Sequence, residues 1–310
     1  MPELPEVEIV VLELNKKLKN RIIKSVVVNA PKMVAVGPAV LSPKRQVKSY
    51  QVAKFVKLLE GQKVLSVTRR SKLLIFNLSG EIKILAHLKM TGQFIFEDKE
   101  LQKQTNSHYR LLNRLTAPLV KLPSKHTHVI FYFTNGSILY FNDIRRFGYL
   151  KLVQGEEINQ VKELLTYGPE PLDKNFTTLH FLTAVRKCNV RKISVKQLLM
   201  DNNFVVGIGN IYSDEILFHA GVSPKKQVSR VKKQEFKEIF KYMKIVLVKA
   251  VKAKGSSVGD FVRTDGSWGQ MGKFHFVYGR KGQKCKKCDT IIQSIKLGGR
   301  TSSFCPNCQK

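Results

Sequence analysis

The chain has 310 residues, 43% of them hydrophobic, and 54 basic against 23 acidic side chains give it a formal charge of +31. A chain of this length can bury a full core and divides into two domains plus a small appended module, and so positive a field draws polyanions, nucleic acid first and an anionic membrane surface second. No apolar run reaches the roughly 18 to 20 residues that cross a bilayer, and no basic stretch followed by an apolar one resembles a secretory signal, so a cytoplasmic setting is expected, or a nuclear one in a eukaryote.

The first eight residues, Met1 to Glu8, place a proline beside the initiator and three acids behind it. Removal of Met1 turns Pro2 into a secondary amine. Reference α-amino groups titrate near pKa ~8 against ~10.4 for lysine, so about a tenth of such an amine is neutral and nucleophilic at pH 7. Glu3 and Glu6 are three apart, a spacing that puts both on one face of a helix start. A second reading fits the same residues: proline is tolerated in a first helical turn and acids suit a helix N-terminus. Val7, Val10, Val11, Leu14 and Leu18 have helical apolar spacing under either reading.

From 21 to 150 the chain reads as strands. Arg21 to Val28, Val64 to Val67, Lys72 to Leu78 and Ile82 to Leu88 are rich in β-branched residues and end at turn residues. Val129 to Phe133 and Ile138 to Phe141 flank Asn135-Gly136, a pair suited to a tight hairpin turn. Short strands without long intervening helices predict a β-sandwich or barrel. The polar, weakly periodic stretches Ala30 to Lys54 and Glu97 to Lys125 read as loops or insertions.

Near Val153 the pattern turns helical, with segments at Ile158 to Tyr167, Thr178 to Cys188, Val195 to Asp201, Ile211 to Ala220 and Lys232 to Ala253. A glycine- and serine-rich stretch follows from Gly255 to Gly272, then a small β-rich tail. The expected fold is α+β: a β-sandwich domain at 1–152, a helical domain at 153–273 and a compact module at 274–310.

The tail holds Cys285, Cys288, Cys305 and Cys308, with 16 residues between the inner pair. Two thiol pairs a hairpin apart suit one tetrahedral zinc, and the absence of a further nearby ligand makes the site structural. Cys188, alone in a helical segment, reads as a buried small side chain. Gly207 and Gly209 let the backbone turn before a helix that Asn210 is placed to cap, and free N–H groups there suit a phosphate. Lys196, one helix earlier, either joins that phosphate site or faces water. Arg145 and Phe147, two apart near a turn, fit a hydrogen-bonding group beside an apolar wedge for bases, or a surface arginine beside a core phenylalanine.

Taken in order, Pro2 to Glu8, His87-Leu88-Lys89-Met90-Thr91-Gly92, Lys125-His126-Thr127-His128, Asp143-Ile144-Arg145-Arg146-Phe147-Gly148, Gly168-Pro169-Glu170-Pro171-Leu172, Gly207 to Tyr212 and the four-cysteine tail resemble bacterial formamidopyrimidine-DNA glycosylases from first residue to last. The resemblance implies an N-terminal β-sandwich, a helical domain with a helix-two-turn-helix motif, a zinc-finger hairpin and a DNA-binding cleft. It also implies a monomeric, nucleoid-associated bacterial enzyme that excises oxidised purines from damaged double-stranded DNA and then cuts the strand by β,δ-elimination.

By the same resemblance Pro2 forms a Schiff base with the sugar, Glu3 assists ring opening as an acid and Glu6 orients the sugar or Pro2. Lys72 and Arg300 join this catalytic set and also touch DNA. Met90, Arg145 and Phe147 fill the gap left by an extruded base, His126, Lys196 and Asn210 are further DNA contacts, and Phe261 to Gly272 is a mobile cap over that base. Thr91 has no assigned role, and 96–124 reads as an insertion. Two alternatives stand beside this reading: an endonuclease VIII-like enzyme for oxidised pyrimidines, and a zinc-stabilised DNA-binding protein without catalysis.

Overall fold

The computed structural model describes residues 1–40, 47–103, 120–188 and 192–310. Helix α1 (Leu4–Leu18) opens the fold. Pro5 sits in its first turn, where a missing N–H leaves no bond unmade, and Glu6 follows at the positive end of the helix dipole. Val7, Val10, Val11, Leu14 and Leu18 are all buried, so the apolar spacing seen in the sequence is the core face.

Two sheets come next. One has the order β1 (Ile23–Val28), β7 (Thr127–Phe133), β8 (Ile138–Asp143), β6 (Gly92–Glu97). The other has the order β2 (Val34–Val36), β9 (Tyr149–Gln154), β5 (Ile82–His87), β4 (Leu73–Leu78), β3 (Val64–Arg70). Only the β2–β9 pairing is parallel. Phe94, Phe131 and Phe141 of the first sheet and Phe76, Ile84 and Leu152 of the second share one core with Leu14 and Leu18 of α1. Alternate residues of each strand point inward, which is what holds the register. Between β7 and β8, Gly136 has φ +86°, the turn conformation that Asn-Gly was expected to supply.

Ala30 to Lys54, expected as loop, contains β2 and the start of helix α2 (Ser49–Leu59). Its apolar anchors Phe55 and Leu59 lie just beyond that stretch, so the helical period was cut in half. In the expected insertion, 97–125, a short helix α3 (Lys99–Lys103) forms, while 104–119 lie outside the described residues.

The chain forms two compact units. The first comprises Met1–Pro2, Glu6–Leu165 and Lys254–Gln270; the second comprises Glu3–Pro5, Thr166–Ala253 and Met271–Lys310. This differs from the division expected near residue 153. Residues 153–165, including helix α4 (Lys162–Leu165), stay with the sandwich because Val153 and Val161 pack on Leu73 and Leu85. Phe261 enters the sandwich core, and Val262 packs with Ile95, Ile130 and Tyr140, which brings the glycine- and serine-rich segment there too.

In the second unit, helices α5 (Thr178–Cys188), α6 (Val195–Leu199), α7 (Asn210–His219) and α8 (Lys233–Lys252) surround a core with edge-on contacts among Phe176, Phe181, Phe204, Phe236 and Phe240. Ser194 and Gln197 cap α6 reciprocally,. Strands β10 (Gln293–Leu297) and β11 (Arg300–Phe304) form the terminal hairpin. The hairpin module does not stand apart from the helices: Phe218 of α7 shares a cluster with Val277, Cys285, Ile292 and Cys305. The Glu215 carboxylate reinforces the join by accepting the backbone N–H groups of Phe276, Val277 and Tyr278 at 2.9–3.0 Å.

Candidate active site

The two carboxylates behind Pro2 are both buried, and the fold holds each by main-chain N–H groups. In the first unit Pro2 is buried at the head of α1. Glu6 lies on that helix, and its Oε1 accepts the Ser256 N–H at 2.8 Å. Gly255 makes the close approach possible: a Cβ there would lie 3.2 Å from the Glu6 side chain, and its φ of +78° favours glycine as well,.

In the second unit Glu3 sits at the start of α7. Its carboxylate accepts the N–H groups of Gly209 at 2.8 Å, Ile211 at 2.8 Å and Tyr212 at 3.3 Å. This corrects two expectations. Asn210 is not the cap of α7, because Gly209 occupies that position and makes no side-chain cap bond. Nor are all the helix-start N–H groups free for a phosphate, since Glu3 takes those of Gly209, Ile211 and Tyr212. The glycine pair serves the same end: a Cβ at Gly207 would lie 2.7 Å from Leu4, and one at Gly209 would lie 2.4 Å from the Glu3 carboxyl carbon. Asn210 instead meets the Tyr278 hydroxyl, whose pKa burial and the Glu3 charge push up.

Met90, Arg145 and Phe147 do come together in the first unit. The Arg145 Nη1 lies 3.2 Å from the Met90 Sδ, and its guanidinium stands 5.3 Å from the centre of the Phe147 ring. Phe147 is 54% exposed, so it is not a core side chain. The pair of loops is tied by groups to which the motif reading gave no role. The Thr91 hydroxyl donates to the Asp143 carboxylate, and the Arg145 N–H reaches both at 3.0 Å. Gly148 N–H donates to the second Asp143 oxygen at 2.7 Å. His87 Nδ1 accepts the Lys89 N–H at 2.9 Å, shaping the approach to Met90. No sequence signal gave Thr91 or Asp143 this role.

Of the other expected contacts, Lys72 follows Ser71, whose φ is +57°, in the β3–β4 turn and is mostly buried. His126 is partly exposed, and desolvation and Lys125 hold its pKa below the usual imidazole value. Arg300 is exposed where β11 begins, after the Gly298-Gly299 turn. Lys196 departs from expectation. It is 1% exposed and pairs with Asp214 at 2.7 Å. Asp214 also accepts Ser302 Oγ at 2.6 Å and Ser303 N–H at 2.8 Å, so the pair pins the hairpin to α6 and α7. Burial pushes the Lys196 pKa down against the pull of Asp214. The ammonium also reaches the Thr301 carbonyl at 3.4 Å, so the partners it meets lie within the fold.

The stretch expected as a mobile cap is rooted in the core. Phe261, Val262 and Thr264 are buried, so Phe261 to Gly272 begins as an anchor. Within it Asp265 and Gln270 are exposed, and just upstream so are Val258 and Gly259.

The sulfur atoms of Cys285, Cys288, Cys305 and Cys308 all lie within 4.8 Å of one another. Three of their separations are 3.3, 3.5 and 4.0 Å. Metal–sulfur bonds of about 2.3 Å in a tetrahedron place sulfurs about 3.8 Å apart, so the four fit one zinc. The N–H groups of Lys287 and Cys308 point at Cys285 and Cys305 sulfur, as suits thiolate ligands,. These cysteines form a structural zinc site.

Fold and site thus define a β-sandwich protein with a proline-led helix, a helical unit and a four-cysteine zinc finger. Family models match the formamidopyrimidine-DNA glycosylase N-terminal domain over residues 1–150, the H2TH domain of the same glycosylases over 167–262, and a zinc finger found in FPG and IleRS over 282–310. The chain is 36% identical to formamidopyrimidine-DNA glycosylase of Listeria monocytogenes, covering 100% of both chains, and 34% identical to that of Bacillus cereus, covering 100% of this chain and 99% of the relative. Lactococcus lactis Fpg in complex with DNA containing an abasic site superposes with a TM-score of 0.80 at 29% identity, covering 99% of each chain. The chain belongs to the formamidopyrimidine-DNA glycosylase family. Among the described residues no helix is long and apolar enough to cross a membrane.

Proposed function

We propose that the chain is a bifunctional DNA glycosylase and abasic-site lyase that releases oxidised purines, 8-oxoguanine and formamidopyrimidines, from damaged double-stranded DNA. Family membership along the whole chain supports the activity. The solved Lactococcus lactis Fpg complexes with abasic-site DNA and with Fapy-dG DNA support the substrate class. A monomer working in the bacterial cytoplasm beside the nucleoid accords with the net charge of +31,.

The observation that carries the catalytic assignment is the pair of buried carboxylates, Glu3 and Glu6, that follow Pro2 in sequence, each held by main-chain N–H. With Met1 attached that nitrogen is an amide and its lone pair is delocalised. Removal of Met1 makes it a secondary amine. Its lone pair attacks C1′ of the damaged nucleoside, the bond from C1′ to the base breaks, and the base leaves with that electron pair and a proton. Opening of the sugar ring transfers a proton to O4′, the step assigned to Glu3, and leaves an iminium between C1′ and Pro2. Loss of a C2′ proton expels the 3′ phosphate and a second elimination expels the 5′ phosphate. Glu6 orients the sugar or the amine. Arg145, Met90 and Phe147 fill the stack from which the base has left, offsetting part of the few kcal/mol that extrusion costs. The zinc holds the hairpin that presents Arg300 and takes no part in the chemistry.

Borohydride reduction during incubation with 8-oxoguanine duplex tests this. A covalent protein–DNA adduct is expected for the chain without Met1 and none for Pro2→Gly or for protein retaining Met1. No adduct from the processed wild type leaves only zinc-stabilised DNA binding. A second substrate class has one observation in its favour, a Lactococcus lactis Fpg complex with DNA containing an oxidised pyrimidine. Base release from 8-oxoguanine opposite cytosine should outpace release from thymine glycol; the reverse order would assign the chain to oxidised pyrimidines.

A further inference from the structure

The segment from Gly255 to Gln270 folds back on itself, with Ser256 bridged to Gln270. The Gly269 N–H donates to Ser257 Oγ at 2.9 Å, and that hydroxyl donates to the Phe261 carbonyl at 2.9 Å. Within this loop the exposed stretch is short. Val258 is 50% exposed, a Cβ at Gly259 would meet nothing within 4 Å, and Phe261 and Val262, after Asp260, enter the core. Val258 is thus the exposed apolar tip of a loop with a tethered base.

The base is tethered by polar bonds that converge from two elements, α1 and β6. Glu6 Oε1 accepts Ser256 N–H, Gln93 Nε2 of β6 donates to the Asp260 carbonyl at 2.8 Å, and Phe96 N–H donates to the Thr264 carbonyl at 2.9 Å. The densest set belongs to Glu13 of α1, two turns after Glu6. Its Oε1 takes Arg263 Nε at 2.6 Å and pairs with Nη2 at 2.6 Å, and its Oε2 takes both the N–H of Thr264 at 3.1 Å and its hydroxyl at 2.8 Å. Lys17, one turn further along α1, closes the set by reaching Thr264 Oγ1 at 2.8 Å. A single carboxylate that gathers a guanidinium, a backbone N–H and a hydroxyl over-determines the backbone of Arg263 and Thr264. Because Glu6 and Glu13 lie on one helix, the loop is fixed in register with the carboxylate assigned to orient the sugar.

We propose that Glu13 is a positioning residue for base release: through Arg263 and Thr264 it holds the loop whose Val258 tip covers the extruded base. It touches neither sugar nor base. The proposal rests on the glycosylase reading above and adds to it a division between the two steps. Base release needs the damaged base seated under the tip. Strand cleavage at a site that has already lost its base uses the same Pro2 amine with nothing to cover.

The test compares the two reactions in Glu13→Gln and in Thr264→Val, which keeps the side-chain shape and removes only the hydroxyl. Single-turnover release of 8-oxoguanine is expected to slow at least fivefold in each variant, while cleavage of a preformed abasic duplex and its borohydride adduct stay within twofold of wild type. Thr264→Ser, which retains the hydroxyl, should restore base release. Equal loss in both reactions, or loss that follows a fall in melting temperature, would assign Glu13 a general structural role and overturn the proposal, as would unchanged base release in both variants. Failure of the wild type to form any adduct would instead overturn the underlying glycosylase reading.

Discussion

At the scale of single residues the site is governed by buried polar groups whose bonds are nearly all met by the main chain. Glu3, Glu6 and Asp143 are each buried and each accepts backbone N–H groups. Leaving such donors without a partner costs about 1–3 kcal/mol apiece, so these carboxylates shape loops as well as serve chemistry. His87 shows the same economy in its neutral form. Burial, with Lys89 and Lys72 adding repulsion, lowers its pKa from 6.5 to about 3, and its Nδ1 accepts the Lys89 N–H. The unfolded chain therefore binds one more proton than the folded chain between those values. The His87 contribution is complete above pH 6.5 and is lost as pH falls toward 3,. Denaturant unfolding over that window should show wild-type stability falling with acid by up to about 1.4 kcal/mol per pH unit more steeply than in His87→Gln. Parallel curves for the two proteins would remove His87 from this role.

At the scale of elements, Lys196 and Asp214 act as a rivet between α6, α7 and the hairpin strand that carries Arg300. Removing one partner of a buried ion pair costs about 3–5 kcal/mol, whereas replacing both by apolar groups is often neutral. Lys196→Ala should therefore destabilise the protein by roughly that amount, and Lys196→Met with Asp214→Asn, whose amide oxygen can still accept the Ser303 N–H, should recover most of it,. The double variant should bind duplex with an unchanged salt dependence, because the Lys196 charge is already paired with Asp214. Arg300→Ala, by contrast, should reduce the log–log salt slope by about 0.9, the share of one phosphate. A slope change in the double variant but not in Arg300→Ala would reverse the two assignments.

At the scale of the whole molecule, a charge of +31 makes affinity for DNA steep in salt, and the zinc hairpin adds a presented arginine to that general attraction,. Zinc binding to four thiolates supplies roughly 10–16 kcal/mol in isolated finger peptides, enough to decide whether a module this small is folded. Chelation is expected to raise the Kd for lesion duplex at least tenfold while the borohydride adduct still forms at saturating DNA. Metal-free protein with full affinity would contradict a structural role for the ion in DNA binding.

The sequence by itself determined what is local or periodic. Alternating strands, the Asn135-Gly136 turn, the apolar stripe of α1, the full span of α5 and the paired cysteines all encode their geometry within a few residues. It also placed Met90, Arg145 and Phe147 in one neighbourhood through their motifs. What only the tertiary structure decided is how polar groups far apart in the chain share one another. Glu3 takes the helix start that Asn210 and the glycines were expected to offer to a phosphate, Lys196 spends its charge on Asp214, Thr91 closes on Asp143, and Glu13 holds Thr264. The physical reason is the same in each case: a buried donor or acceptor must find a partner. Which partner it finds depends on where folding brings the chain, over separations of 206 residues between Glu3 and Gly209 and 251 between Glu13 and Thr264.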